Sequence, residues 1–130
     1  LLREGINPAL HDLTTKLSNK GLQIEFESEQ RIDLPIEISI HLYRMMEEFI
    51  YNTIKHAQAS RIKIQLSRTE TQFQLLARDN GIGFNSNSQT TNPKGMGLKG
   101  YEYRTELIGG TFSVYSELGK GTQLQITIPI

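Results

Sequence analysis

The stretch Leu42-Tyr-Arg-Met-Met-Glu-Glu-Phe-Ile-Tyr-Asn-Thr-Ile-Lys-His-Ala57 decides the fold, because it predicts one long amphipathic helix. At about 100° per residue, its apolar side chains gather on one broad arc, which is the stripe that a helix buries. That arc contains Leu42, Met45, Met46, Phe49, Ile50, Thr53, Ile54 and Ala57. We therefore expect the rest of the domain to pack against this face.

The opposite side of the same helix carries a row of polar groups with useful chemistry. Glu48, Asn52 and Lys55 are spaced i, i+4 and i+7, so they lie one above another along the helix. A carboxamide oxygen is a ligand for Mg²⁺, an ammonium group neutralises phosphate, and a carboxylate can take up a proton. The alternative is an ordinary solvated helix face, which the helix taken alone favours.

Composition limits the classes of function. The chain of 130 residues suits one domain, and its 14 basic and 14 acidic residues give a formal net charge of zero. No basic run predicts nucleic-acid binding, and no apolar run approaches the roughly 18 residues of a membrane-spanning helix. The lack of cysteine excludes disulfides and thiolate metal sites, as is typical of a cytoplasmic protein. Because the chain begins at Leu1 rather than methionine, we interpret it as a piece of a longer protein.

The remaining patterns predict short helices and one-sided strands. Helices are expected at residues 7–20 and 97–108, strands at 22–28, 62–66, 73–77, 112–114 and 124–128, and a long loop at 79–100. The strands at 62–66 and 73–77 are expected to form an antiparallel hairpin. Because each strand has one apolar and one polar face, we predict an α+β fold. It is a two-layer sandwich, with a mixed, mostly antiparallel sheet covered on one face by about three helices.

Three glycine-containing motifs follow the long helix. Asp79-Asn-Gly81-Ile-Gly83 comes directly after a strand; its carboxylate can accept a hydrogen bond from an exocyclic amino group, although a simple turn explains it equally well. Gly95-Met-Gly97-Leu98-Lys-Gly100 has the spacing of a dinucleotide fingerprint, but no apolar strand precedes it. We therefore expect these glycines only to open a helix whose N–H groups favour phosphate. The segment 119–122 is expected to be a hairpin turn.

Two histidines are weaker candidates. His11 precedes Asp12 on the first helix, which admits a histidine nucleophile, but a surface histidine is the commoner case. His41 lies just before the central stretch and is interpreted as structural.

The motifs gain meaning from their order. Glu48-x-x-x-Asn52-x-x-Lys55-His56-Ala57, Asp79-x-Gly81-x-Gly83, Gly95-x-Gly97-Leu98 and Gly119-x-Gly121-Thr122 follow one another along the chain. Together they resemble the ATP-binding domain of sensor histidine kinases, in the branch whose response regulators carry helix-turn-helix outputs. The resemblance covers about residues 41–130. Residues 1–20 resemble, less closely, the end of the linker from the dimerisation helices, so that 21–130 would be the catalytic domain.

The resemblance implies a role for each matching residue. Asn52 would bind Mg²⁺, and Glu48 would be the general base or orient the attacking group. Asp79 would accept a hydrogen bond from the adenine amino group, with Gly81 and Gly83 making room. The remaining matches are Lys55 and His56 near the phosphates, Gly95, Gly97 and Leu98 closing on the phosphates, and Thr122 beside the adenine. ATP and Mg²⁺ are thus the implied ligands.

The chain also departs from this family. Tyr51 stands where a small residue is usual, and Tyr101 where an aliphatic residue or methionine is usual. No residue matches the phosphoacceptor histidine, which the family carries on a dimerisation helix. The resemblance therefore implies two partners, namely that dimerisation domain, in a homodimer, and a response regulator. Two alternatives remain, namely a serine kinase or ATPase of the same superfamily, and a binding module that has lost nucleotide.

Overall fold

The computed structural model describes residues 5–29, 31–83 and 98–129. The elements follow the chain as α1 (Ile6–Leu17), β1 (Gln23–Ser28), α2 (Ile36–Asn52), a π-helical turn (Thr53–Ala57), β2 (Arg61–Arg68), β3 (Gln72–Asp79), α3 (Leu98–Leu107), β4 (Thr111–Glu117) and β5 (Gly121–Pro129). The predicted helices and strands are therefore present, with their ends shifted by a few residues.

The strands form one sheet in the order β1-β2-β3-β5-β4. β1 runs parallel to β2, while the other three pairings are antiparallel. The predicted hairpin is confirmed by the β2–β3 register, which pairs Ile64 with Ala77 and Leu66 with Leu75. The sheet is thus mixed and mostly antiparallel, as the one-sided strands predicted.

The core lies between one face of this sheet and the helices. Alternate residues of β2 are buried, while Lys63 on the other face forms an ion pair with Glu27 at 3.1 Å. The buried face meets side chains of all three helices: Ile6, Leu10 and Leu13 from α1, Leu42, Met45, Met46, Phe49 and Ile50 from α2, and Tyr101 from α3. The predicted two-layer α+β sandwich is confirmed.

The helix-facing side of the sheet changes from apolar to polar at one end. Asp79 follows Ala77 at a spacing of two residues, so its side chain lies on the buried face of β3. Thr122 on β5 and Ser116 on β4 also lie on the buried face of their strands. All three polar residues are buried. Polar groups buried at adjacent strand ends need partners nearby, which places the candidate site here.

The last turn of the central helix differs from the prediction. Beyond Asn52 the chain forms a π-helical turn that ends at Gln58, a residue in the left-handed conformation with φ of 50°. A π-turn holds more residues per turn than an α-helix, so successive side chains are no longer about 100° apart around the helix axis. Ile54 was predicted to be buried and is instead 49% exposed, whereas Thr53 remains buried as expected.

Candidate functional site

Asp79 is the deepest charged group of the site. It is 9% exposed, and its carboxylate accepts hydrogen bonds from the N–H of Gly81 at 2.8 Å and from the backbone of Thr122. The hydroxyl of Thr53 on the π-turn lies 3.3 Å from the second carboxylate oxygen and shares its one proton between that oxygen and the Phe49 carbonyl at 2.9 Å. Burial raises the pKa of Asp79, and these three hydrogen bonds oppose the rise. We call Thr53, Asp79, Gly81 and Thr122 the strand-end cluster.

Thr122 is oriented by a neighbouring serine. The Ser116 hydroxyl donates to the carbonyl of Gly121 at 3.0 Å and lies 2.9 Å from the Thr122 hydroxyl oxygen. A serine hydroxyl has one proton, so when that proton is directed to Gly121, the proton of Thr122 is directed to Ser116. The Thr122 oxygen then presents its lone pairs to the cluster.

The glycines of this region are required by the protein's own backbone. A Cβ on Gly81 would lie 2.7 Å from the Cβ of Ala57 and collide with its carbonyl. Gly83, with φ of +65°, abuts the carbonyl of Glu117, and Gly121, with φ of +89°, abuts the carbonyl of Asp79. The strand-end cluster is therefore packed tightly by backbone on two sides, which gives Gly81 and Gly83 a reason beyond making room for a ligand.

A second group of polar residues lies on α2 and the start of α3. Glu48 and Asn52 are one turn apart on α2, and both are partly buried. A Cβ on Gly100 would lie 3.8 Å from both Glu48 carboxylate oxygens, and the Asn52 side chain forms a hydrogen bond with the Tyr101 hydroxyl. We call Glu48, Asn52, Gly100 and Tyr101 the helix-face cluster. Since Thr53 follows Asn52 directly, the two clusters adjoin.

Electrostatics around Glu48 suit a group that takes up a proton. Desolvation raises the pKa of Glu48, and the nearby guanidinium of Arg104 opposes that rise. Arg104 also contacts the Nδ1 atom of His41 at 3.0 Å. Because a guanidinium can only donate, Nδ1 accepts and the imidazole proton lies on Nε2. His41 thus accepts a hydrogen bond from Arg104, the arginine whose charge acts on Glu48.

The described contacts do not join the other predicted site residues to either cluster. Lys55 and His56 are exposed on the π-turn, and the row predicted for Glu48, Asn52 and Lys55 is interrupted by the change of helix type. Gly95, Gly97 and the side chain of Leu98 lie outside the described residues. His11 is exposed on α1.

Within 5–29, 31–83 and 98–129, no group of three or more His, Cys, Asp or Glu side chains is placed to bind a metal. Across the same ranges, no helix is both long and apolar enough to cross a bilayer.

Sequence reasoning missed three residues of the site. Thr53 was assigned only to the buried stripe, although a hydroxyl within an apolar stripe signals a hydrogen-bonding role. Ser116 continues the alternation of Phe112 and Val114 and could have been found in the same way. Arg104 carried no signal, because its proximity to Glu48 depends on how α3 packs on α2.

Comparison with known proteins places the chain in a family. Residues 37–130 match the family described as histidine kinase-, DNA gyrase B- and HSP90-like ATPase. The oxygen sensor histidine kinase NreB of Staphylococcus carnosus is 32% identical over 117 residues, which are 86% of this chain and 32% of that protein. The sensor histidine kinase LiaS of Bacillus subtilis is 31% identical, over 93% of this chain and 38% of that protein. The chain thus spans about a third of the length of these curated relatives.

A solved structure has the same fold at lower identity. The blue-light activated histidine kinase EL346 of Erythrobacter litoralis aligns with a TM-score of 0.77 at 19% identity, covering 95% of this chain and 40% of that one. Full-length ShkA, solved in complex with AMPPNP, aligns with a TM-score of 0.72 at 18% identity, covering 95% and 29%. The chain belongs to the histidine kinase-, DNA gyrase B- and HSP90-like ATPase family, and the relatives named here are sensor histidine kinases.

Proposed function

We propose that the two clusters form one cleft for magnesium-bound ATP, with the adenine at the strand-end cluster and the phosphates at the helix-face cluster. The observation that carries this proposal is the state of Asp79. A carboxylate offers about four lone-pair positions, and the three donors named above leave room for one more. An exocyclic amino group fits that position, with the Thr122 hydroxyl beside it.

The helix-face cluster fits a magnesium ion that is held mainly by substrate. Mg²⁺ prefers oxygen ligands and is usually bound through one or two protein side chains together with phosphates and water. Asn52 supplies a carboxamide oxygen, which is one such ligand. When bound, the ion would neutralise charge developing on the phosphates. Lys55 and His56 would contact the phosphates, and Gly95, Gly97 and Leu98 would close over them.

The proposed reaction transfers the ATP γ-phosphoryl group to a histidine on a separate dimerisation domain of the homodimeric protein. Glu48, with its raised pKa, would take up a proton or orient that histidine. A response regulator aspartate would then receive the phosphoryl group. The relatives named above support this assignment. Because a response regulator and ATP are cytoplasmic, the proposed reaction also implies a cytoplasmic location. We also propose that residues 1–20 continue the linker from the dimerisation region.

Thermal unfolding with and without magnesium-ATP tests the proposal. At ten times Kd, ligand binding stabilises a protein by about 1.4 kcal/mol, which is roughly 5 °C for a domain of this size. We expect this shift in the wild type and none in Asp79→Asn, because an amide in place of the carboxylate presents N–H where an acceptor is needed. Asp33→Asn is the matched control, since the Asp33 side chain is 92% exposed. Absence of a shift in the wild type at millimolar magnesium-ATP would refute the proposed function.

A further inference from the structure

The two tyrosines that depart from the family pattern lie in different environments. Tyr51 is 46% exposed on α2. Tyr101 is 2% exposed at the start of α3, and its hydroxyl forms a hydrogen bond with the side chain of Asn52. One departure therefore faces solvent, while the other contacts the residue expected to bind magnesium.

The chemistry of a carboxamide gives this contact a direction. A magnesium ion takes the Oδ1 atom of Asn52, so the Nδ2 group must point elsewhere. The Tyr101 hydroxyl oxygen can accept a hydrogen bond from this Nδ2 group. An Nδ2 group that donates to Tyr101 would direct Oδ1 away from α3.

The tyrosine is itself held by its surroundings. Its ring packs against Phe112 with centroids 6.4 Å apart, and its backbone carbonyl accepts a 2.6 Å hydrogen bond from the Thr105 hydroxyl. The neighbouring Gly100 lies against the Glu48 carboxylate. The hydroxyl is thus supported by α3 and β4 rather than by α2, and it links Asn52 to another part of the fold.

We propose that Tyr101 is a positioning residue, which fixes the carboxamide of Asn52 so that its oxygen faces the magnesium ion. This inference rests on the proposed function. It adds a role for the first turn of α3 in metal binding, and it makes that role depend on one hydroxyl group.

Nucleotide binding measured by calorimetry in magnesium and in EDTA tests the role. The full chain is titrated with ATP in each buffer. The ratio of the Kd in EDTA to the Kd in magnesium reports how much the metal strengthens binding. A lost hydrogen bond of about 0.5–1.5 kcal/mol corresponds to roughly a 2- to 10-fold change. We expect Tyr101→Phe to reduce the ratio by that factor with an unchanged Kd in EDTA. The control Tyr103→Phe, at a tyrosine that is 64% exposed on the same helix, should leave both values unchanged.

Two further variants separate positioning from packing. Tyr101→Met, which also lacks the hydroxyl, should lower the ratio as Tyr101→Phe does. In an Asn52→Ala background, Tyr101→Phe should have no further effect, because the group that it positions is gone. An additional loss in that background, or an equal loss in EDTA and in magnesium, would overturn the inference.

The outcomes also separate this inference from the proposed function. If the wild type binds ATP with a magnesium-dependent gain and Tyr101→Phe retains the full gain, only the inference fails. If the wild type binds no ATP in either buffer, the proposed function fails and the inference fails with it.

Discussion

The strand-end and helix-face clusters are built in different ways. Asp79 is fixed by backbone N–H groups, a buried hydroxyl and glycines that allow close approach, all within the sheet and the turn that abuts it. Glu48 and Asn52 are partly buried on one helix, and their partners come from α3. The strand-end cluster is therefore preorganised by the fold. The helix-face cluster depends on how α3 docks on α2.

The largest expected effect concerns the helix-face cluster. Glu48→Gln should leave magnesium-ATP binding within about 2-fold and reduce phosphoryl transfer by about 100-fold or more, since an amide cannot accept a proton as a general base does. Radiolabel transfer to the dimerisation domain, in the full-length protein, measures the rate. Glu47→Gln, at the neighbouring residue paired with Arg44, is the control. Undiminished transfer by Glu48→Gln would remove this residue from the mechanism.

A stability measurement tests how firmly the strand-end cluster is packed. Gly121→Ala places a Cβ against the carbonyl of Asp79 at φ of +89° and should cost about 2–4 kcal/mol of unfolding free energy. Gly119→Ala, in the same turn at φ of +79° but with nothing within 4 Å of its Cβ, should cost only about 1 kcal/mol. Denaturant unfolding measures both. Equal losses would mean that backbone conformation alone, and not the close packing, sets the cost.

The smallest effect is a pH dependence from Asp79. Its folded pKa is raised by burial, so between its ordinary value and the raised value the native state binds more protons than the unfolded state. Stability from this group therefore rises as the pH falls through that window. Without nucleotide, we expect the Tm of the wild type to rise relative to the Tm of Asp79→Asn as the pH is lowered from 7. A constant difference across the range would contradict the raised pKa.

Sequence patterns predicted the fold better than they predicted the site. Alternation in β2 and β3, and the apolar stripe of α2, report burial directly, so the two-layer arrangement followed from them. The pairing of Glu48 with Arg104 and of Asn52 with Tyr101 depends on the docking of α3, which no local period encodes. Ile54 was predicted to be buried and is exposed, because no pattern within residues 42–57 indicates a change from α-helix to π-turn.

The π-turn at Thr53–Ala57 affects how the chain would respond to a change in length. Each hydrogen-bonded ring of a π-turn encloses one residue more than an α-helical ring. Deleting one residue here would let α2 continue regularly toward Gln58, and the loss would be absorbed without disturbing the sheet. The cost would fall on the side chains that follow the deletion, which would turn by about 100° relative to α2. A homologue one residue shorter at this place would therefore keep the architecture while directing the counterparts of Lys55 and His56 differently.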